Sequence, residues 1–208
     1  LKKYKHERVE RMKYSCSTFM LYLGIDGPVS TPFHSIVFAD DYKRNVQEIF
    51  STGVLSDDLS FYVRNASILD PSFAPNGKSA LYVLVPVPNL KQYDDWQNSK
   101  DSVRELILSK IESRLGVQDI RSRIEEEIVY TPEDWQEKHN VQFGATFNLS
   151  HSWDQLAMFR PRNAFNDIDS LYLVGGGTHP GSGLPTIYES GRIATKLILE
   201  KEGHRYEA

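Results

Sequence analysis

The sequence has a single cysteine, Cys16, which excludes an internal disulfide and fits a reducing, cytoplasmic compartment. No stretch approaches the run of about 18 apolar residues that a membrane-spanning helix needs, and the N-terminal region lacks the apolar core of a signal peptide. Charge of neither sign dominates. The 24 Lys and Arg against 28 Asp and Glu leave a formal charge of −4, with no global basic field to hold nucleic acid. The six histidines are scattered, without an i, i+4 pair or a cysteine partner, so no metal site is expected. G-x-G-x-x-G, a glycine loop followed by Gly-Lys-Ser/Thr, and G-x-S-x-G are all missing. A complete dinucleotide turn, a P-loop and an α/β-hydrolase serine are therefore not expected within this stretch. There is no internal repeat and no low-complexity tract.

What remains is a chain of 208 residues, 40% hydrophobic, long enough to bury a real core. From Tyr14 to Ile25 the residues are aliphatic, aromatic and β-branched, as in a long strand buried on both faces. His34 to Phe38, Ser60 to Asn65, Ala80 to Pro88 and Ile124 to Tyr130 read as further strands. Val46, Ile49 and Phe50 recur at helical spacing within 40–50, and Val103, Leu106, Ile107, Ile111 and Leu115 share one face of a helix over 101–115. For that second helix, Ser102 and Glu105 match a capping box and Gly116 a C-cap. Thr131-Pro132-Glu133-Asp134 opens a short helix through Trp135. The fold class is thus α/β (α+β), a mixed and largely antiparallel sheet with helices over residues 1–162. The remainder, 163–208, reads as a separate strand-loop-helix.

That last segment is the most informative. Leu171 to Pro185 reads LYLVGGGTHPGSGLP: an apolar strand ending at Val174, a loop with five glycines, then Pro185 opening an amphipathic helix. A triple glycine alone is also what a flexible turn looks like. The whole arrangement aims backbone N–H groups and a positive helix end at one spot, which suits an electron-rich or anionic ligand. Three neighbouring features each have two readings. His179 either donates a hydrogen bond to a ligand or caps a loop carbonyl. Arg160, in Phe159-Arg160-Pro161-Arg162, either pairs with a pyrophosphate or lies at the surface. The basic segment 1–13, six Lys or Arg against two Glu, either meets anionic lipid or is an exposed connection.

VGGGTHPGSGLP resembles the C-terminal FAD-binding signature of the bacterial carotenoid desaturases, the phytoene and diapophytoene (dehydrosqualene) desaturase family. SFAPNGK at 72–78 followed by YVLVPVPNL, YTPEDW at 130–135, GATF at 144–147 and FRP at 159–161 occur in that family's order. The opening YSCSTFMLYLGID is most similar to the family's C30 branch. The resemblance covers nearly the whole chain.

It implies a FAD-dependent oxidoreductase that desaturates a long isoprenoid, acting at a membrane surface as a peripheral protein on an apolar polyene. Gly175, Gly176, Gly177, Thr178, Gly183, Leu184 and Pro185 would approach the flavin and ribityl groups. Arg160 is a further cofactor contact and His179 a catalytic candidate. Residues 1–162 would form most of the substrate-binding domain and 163–208 would complete a Rossmann-like FAD domain. The G-x-G-x-x-G half that holds the ADP moiety is absent, so this stretch alone is expected to bind FAD poorly or not at all and to be inactive. Related flavin amine oxidases carry an acidic residue after the terminal-strand glycine, where this sequence has Gly176 and Gly177. Backbone amides are therefore the expected donors. A carotenoid isomerase, a terminal-methyl oxygenase and a non-catalytic prenyl or lipid binder are the rival readings.

Overall fold

The computed structural model describes residues 4–165 and 167–206, which divide into two compact units. One comprises residues 16–146; the other joins residues 1–15 to 147–208. The first is built on a five-stranded sheet of β1 (Ser17–Ile25), β2 (His34–Val37), β3 (Phe61–Asn65), β4 (Ser79–Val87) and β5 (Ile124–Tyr130), in the order β2-β3-β4-β1-β5. Every neighbouring pair is antiparallel. This is the expected mixed α+β architecture. Pro86 lies inside β4, opposite Thr18 of β1. It is tolerated because the β3 ladder on its other side stops at Leu84, where no amide is needed.

One sheet face is covered by α3 (Trp96–Leu115). Phe19, Leu21 and Leu23 of β1 and Val83 and Val85 of β4 pack against Val103, Ile107 and Ile111 of this helix, all buried. Alternation explains the choice of residues, since side chains two apart on a strand and three or four apart on a helix share a face. Burial of each such aliphatic side chain contributes about 1.5–3 kcal/mol. Ile107→Ala is expected to destabilise the protein by about 2–5 kcal/mol, read as a lower denaturation midpoint in urea. An unchanged midpoint would show that α3 does not seal this face.

The predicted capping box at Ser102 and Glu105 is not formed. The helix starts five residues earlier than the expected Asp101, at Trp96, and Ser102 Oγ instead donates to the Ser99 carbonyl at 2.8 Å. Trp96 causes the difference: it is fully buried, 5.7 Å from the Phe19 ring, and anchors a polar first turn that carries no apolar period of its own. Gly116 is the C-cap, at φ +70°. The helix expected over 40–50 is α2 (Tyr42–Gln47), capped by Asp41 and continued by a π-turn (Glu48–Thr52); Ile49 is buried but Phe50 is exposed. The extra residue in the wider turn rotates Phe50 off the buried stripe. Ahead of β5, α4 (Ile120–Arg123) is a single turn. Thr131 and Asp134 form a reciprocal capping box for α5 (Pro132–His139), which runs past Trp135 to an Asn140 cap.

In the second unit, residues 1–3 of the basic segment lie outside the described residues, and the rest holds α1 (His6–Glu10), one short helix. The Gln155 side chain brackets Lys13, accepting from its amide and donating to its carbonyl, both at 2.8 Å. The strand expected at 171–174 is not built. Among the described residues its ladder contact is a single antiparallel bridge, Ala164 to Tyr172, and Val174 is 61% exposed rather than buried. A strand needs a partner for its amides and carbonyls, and no further strand pairs with this segment among the described residues. The glycine loop and α6 (Leu184–Lys201) follow it as expected, with Pro185 in the first helical turn.

Candidate functional site

Three glycines of the 175–183 loop have φ values that an L side chain rarely adopts: Gly175 (+109°), Gly181 (+149°) and Gly183 (+108°). At Gly176 a Cβ would stand 3.1 Å from Asn148 Nδ2 and 3.3 Å from Ser182, so those side chains would have to shift by a few tenths of an ångström. Glycine is therefore required by the turn's shape at 175, 181 and 183 and favoured by close packing at 176.

The loop amides fall into two sets. Gly175 N–H donates to Ser190 Oγ (2.8 Å), Thr178 N–H to the Gly175 carbonyl (3.2 Å), His179 N–H to the Pro161 carbonyl (2.9 Å) and Ser182 N–H to His151 Nε2 (3.2 Å). The amides of Gly176, Gly177, Gly181, Gly183 and Leu184 make no hydrogen bond among the described residues. The second set lies around the start of α6, an 18-residue helix whose dipole adds partial positive charge there. Thr186 Oγ1 donates backward to the Ser182 and Gly183 carbonyls, both at 2.7 Å, which occupies those acceptors; Gly183 and Leu184 are exposed, whereas Gly176 and Gly181 are buried.

Four side chains hold this shape. Ser190, fully buried on α6, accepts from Gly175 and donates to the Ile187 carbonyl at 2.6 Å. Asn163 Nδ2 reaches the Leu173 and His179 carbonyls, each at 3.0 Å, and Thr178 Oγ1 at 3.3 Å. Arg160 is neither at the surface nor turned outward: it is 1% exposed, with Nη1 and Nη2 on the carbonyls of Leu149, Ser150, Gln155 and Gly176. His151 receives the Ser182 amide. Of these four only Arg160 had a sequence signal, because the other three act through contacts distant along the chain.

His179 Nδ1 faces the Ala157 carbonyl at 3.0 Å, so this nitrogen carries the proton and caps the loop. Thr178 turns its hydroxyl inward, onto the Gly175 carbonyl at 3.0 Å, and is buried. Leu184 is 67% exposed and lies beside the open amides. An open pocket of about 430 Å³ adjoins the loop, lined by Met158, Arg160, Arg162, Asn163, His179 and Leu197 among others. That is within the usual size of a small-molecule site. Among the described residues no group of three or more His, Cys, Asp or Glu is placed to hold a metal ion. Nor is any helix among them long and apolar enough to cross a membrane.

Because His151 Nε2 accepts from an amide, the fold requires its neutral form. Burial, and then the nearby Arg160 cation, lower its pKa from the ordinary value. A lowered folded pKa contributes stability that is present above the unfolded value of about 6.5 and is lost as pH falls through the folded value. The Ser182 amide is expected to be protected from hydrogen exchange at neutral pH and to lose protection in acid. His151→Gln, which offers an uncharged acceptor, should abolish the acid-induced loss. Protection that does not vary with pH in the unsubstituted protein would contradict this coupling.

No family model matches the chain. Individual proteins do. It is 54% identical, over 207 residues and 100% of its length, to a 4,4'-diapophytoene desaturase (4,4'-diapolycopene-forming) of Methylomonas sp.. It is 44% identical, over 94% of its length, to an all-trans-zeta-carotene desaturase of Myxococcus xanthus. It is 37% identical, over 98% of its length, to a 4,4'-diapophytoene desaturase (4,4'-diaponeurosporene-forming) of Staphylococcus haemolyticus (strain JCSC1435). In these three the match occupies 40%, 37% and 42% of the relative, so the chain spans about two fifths of the length of the curated relatives it matches. With such identity across essentially all of its residues, the chain belongs to the diapophytoene and carotenoid desaturase family.

Proposed function

We propose that this chain serves a FAD-dependent desaturase that removes hydrogen from a diapophytoene-type or phytoene-type isoprenoid. It would be the carboxy-terminal part of that enzyme, with residues 163–208 completing the flavin site and 1–162 forming most of the substrate side. One observation carries the reading: the amides of Gly176, Gly177, Gly181, Gly183 and Leu184 have no hydrogen-bond partner among the described residues, on a turn whose Gly175, Gly181 and Gly183 hold φ values that L side chains rarely adopt, with Gly183 and Leu184 exposed at the helix start. The residues present fit a flavin. Donors concentrated at a helix start suit the electron-rich pyrimidine edge of its ring. When bound, the flavin supplies the two-electron acceptor for hydrogen removal. The chain's own part is to hold donors in place and keep water from the ring.

The polyene has no ionisable handle, so its recognition rests on apolar surface. The sheet face opposite α3 offers it. A pocket of about 400 Å³ lies there, lined by Tyr22, Tyr82, Phe73 and Ile128 together with the charged Arg64, Glu126 and Glu127. Tyr22 and Tyr82 meet edge to face at 5.4 Å, and Tyr62 and Tyr130 extend the row. Burial raises the phenol pKa of Tyr22 and Tyr82, which keeps both rings uncharged. A membrane surface, where such a substrate dissolves, is the proposed source of the polyene.

The complete protein tests this reading. Purified with upstream sequence in place, it is expected to carry oxidised flavin and to convert diapophytoene or phytoene into a product absorbing at longer wavelength. Protein that binds no flavin and leaves both polyenes unchanged would overturn it.

A further inference from the structure

The Arg160 guanidinium poses a problem that the flavin reading has not used. It is 1% exposed and in contact with four carbonyls: Leu149 and Gly176 at 2.8 Å, Ser150 at 3.1 Å and Gln155 at 3.4 Å. Carbonyl oxygens solvate a cation without neutralising it. Among the described residues no carboxylate forms an ion pair with Arg160, and its Nε is buried with no hydrogen-bond partner. That nitrogen stands 3.6 Å from where a Cβ on Gly181 would be, directly behind the loop. Arginine does not shed its proton in proteins, so a full positive charge remains there. Buried charges are ordinarily paired, and a turn that carries one unpaired is set up for negative charge brought by something else.

The route of the effect is visible in one peptide unit. Arg160 Nη2 donates to the Gly176 carbonyl, and the same peptide presents the Gly177 N–H, which has no partner among the described residues. Polarising the carbonyl strengthens that N–H as a donor. We propose that Arg160 is an electrostatic positioning residue of the flavin site, its charge acting through the Gly176–Gly177 peptide on the negative charge the ring gains on reduction. This rests on the flavin reading above and adds to it a residue that touches neither ring nor substrate. Because the charge is buried, salt should screen it weakly.

The test is the reduction potential of the flavin in the complete protein, measured against reference dyes for three variants. Arg160→Met removes the charge, Arg160→Lys keeps it but loses the planar fork, and His151→Glu sets a carboxylate beside the guanidinium while still offering an acceptor to the Ser182 amide. His151 is close enough to sense Arg160, since its Nε2 and the Arg160 Nε flank the same point over Gly181, at 2.9 Å and 3.6 Å. Arg160→Met and His151→Glu should both lower the potential with flavin still bound, and Arg160→Lys should stay near the unsubstituted protein. Should Arg160→Met not fold, His151→Glu decides alone, because its brace is intact. An unchanged potential in His151→Glu, or an equal drop in the Lys and Met variants, overturns the proposal and leaves the flavin reading standing. Unsubstituted protein without flavin defeats the flavin reading itself.

Discussion

Replacing Gly183 by valine is expected to strip the complete protein of flavin and of polyene desaturation together. Gly183 sits at φ +108°, and a Cβ there would also meet Thr186 Oγ1 at 3.4 Å. A β-branched residue forced into that backbone region costs on the order of 1–3 kcal/mol, which the loop relieves by turning away from its present path. The amides of Gly183 and Leu184 then lose their aim. A cost of that size corresponds to a loss of about 5-fold to 150-fold in flavin affinity. The purified variant should be nearly colourless yet keep its thermal unfolding, because the sheet and α3 lie outside this loop. Flavin content and turnover equal to those of the unsubstituted protein would contradict the assignment of the turn.

Asn163→Leu is expected to act nearly as strongly from a position that no motif announces. Its amide spans the Leu173 and His179 carbonyls and the Thr178 hydroxyl, so it ties the approach to the turn and the turn's middle to one point. Leucine preserves volume but leaves those acceptors facing an apolar group, at about 1–3 kcal/mol for each that water does not reach. Flavin content should fall at least tenfold, with hydrogen exchange accelerated at Thr178 and His179. Asn163→Asp should fail too, since a carboxylate would confront two carbonyls with no donor. A fully loaded Leu variant would show that the turn keeps its shape without this tie.

The features legible in the sequence are those that short-range physics dictates. Gly116 ends α3 in a left-handed conformation, Thr131 and Asp134 cap α5 reciprocally, and alternation marks β3 and β4 within a residue at each end. The glycine turn belongs to this class, because Gly175, Gly181 and Gly183 hold backbone angles that L side chains rarely adopt. What escaped the sequence was set by contacts between distant residues. Ser190 meets Gly175 across 15 residues and His151 meets Ser182 across 31, and neither serine nor histidine carries a local sign of that role. Arg160 shows the limit most clearly: the residue was noticed, but only packing decides whether a guanidinium faces water or, as here, the carbonyl of Gly176. The segment 171–174 has the apolar composition of a strand, yet pairing also requires a neighbour, and composition does not say where that neighbour is. Trp96 carried the opposite lesson, since one buried aromatic extends α3 through a polar turn that periodicity alone would leave out.

The most direct measurement is a crystal structure of the complete protein with its flavin bound. The pyrimidine edge of the ring is expected within about 2.7–3.2 Å of at least one of the Gly176, Gly177, Gly181, Gly183 and Leu184 amides, at the start of α6. A flavin seated elsewhere, with these amides turned onto protein or open solvent, would contradict the central claim.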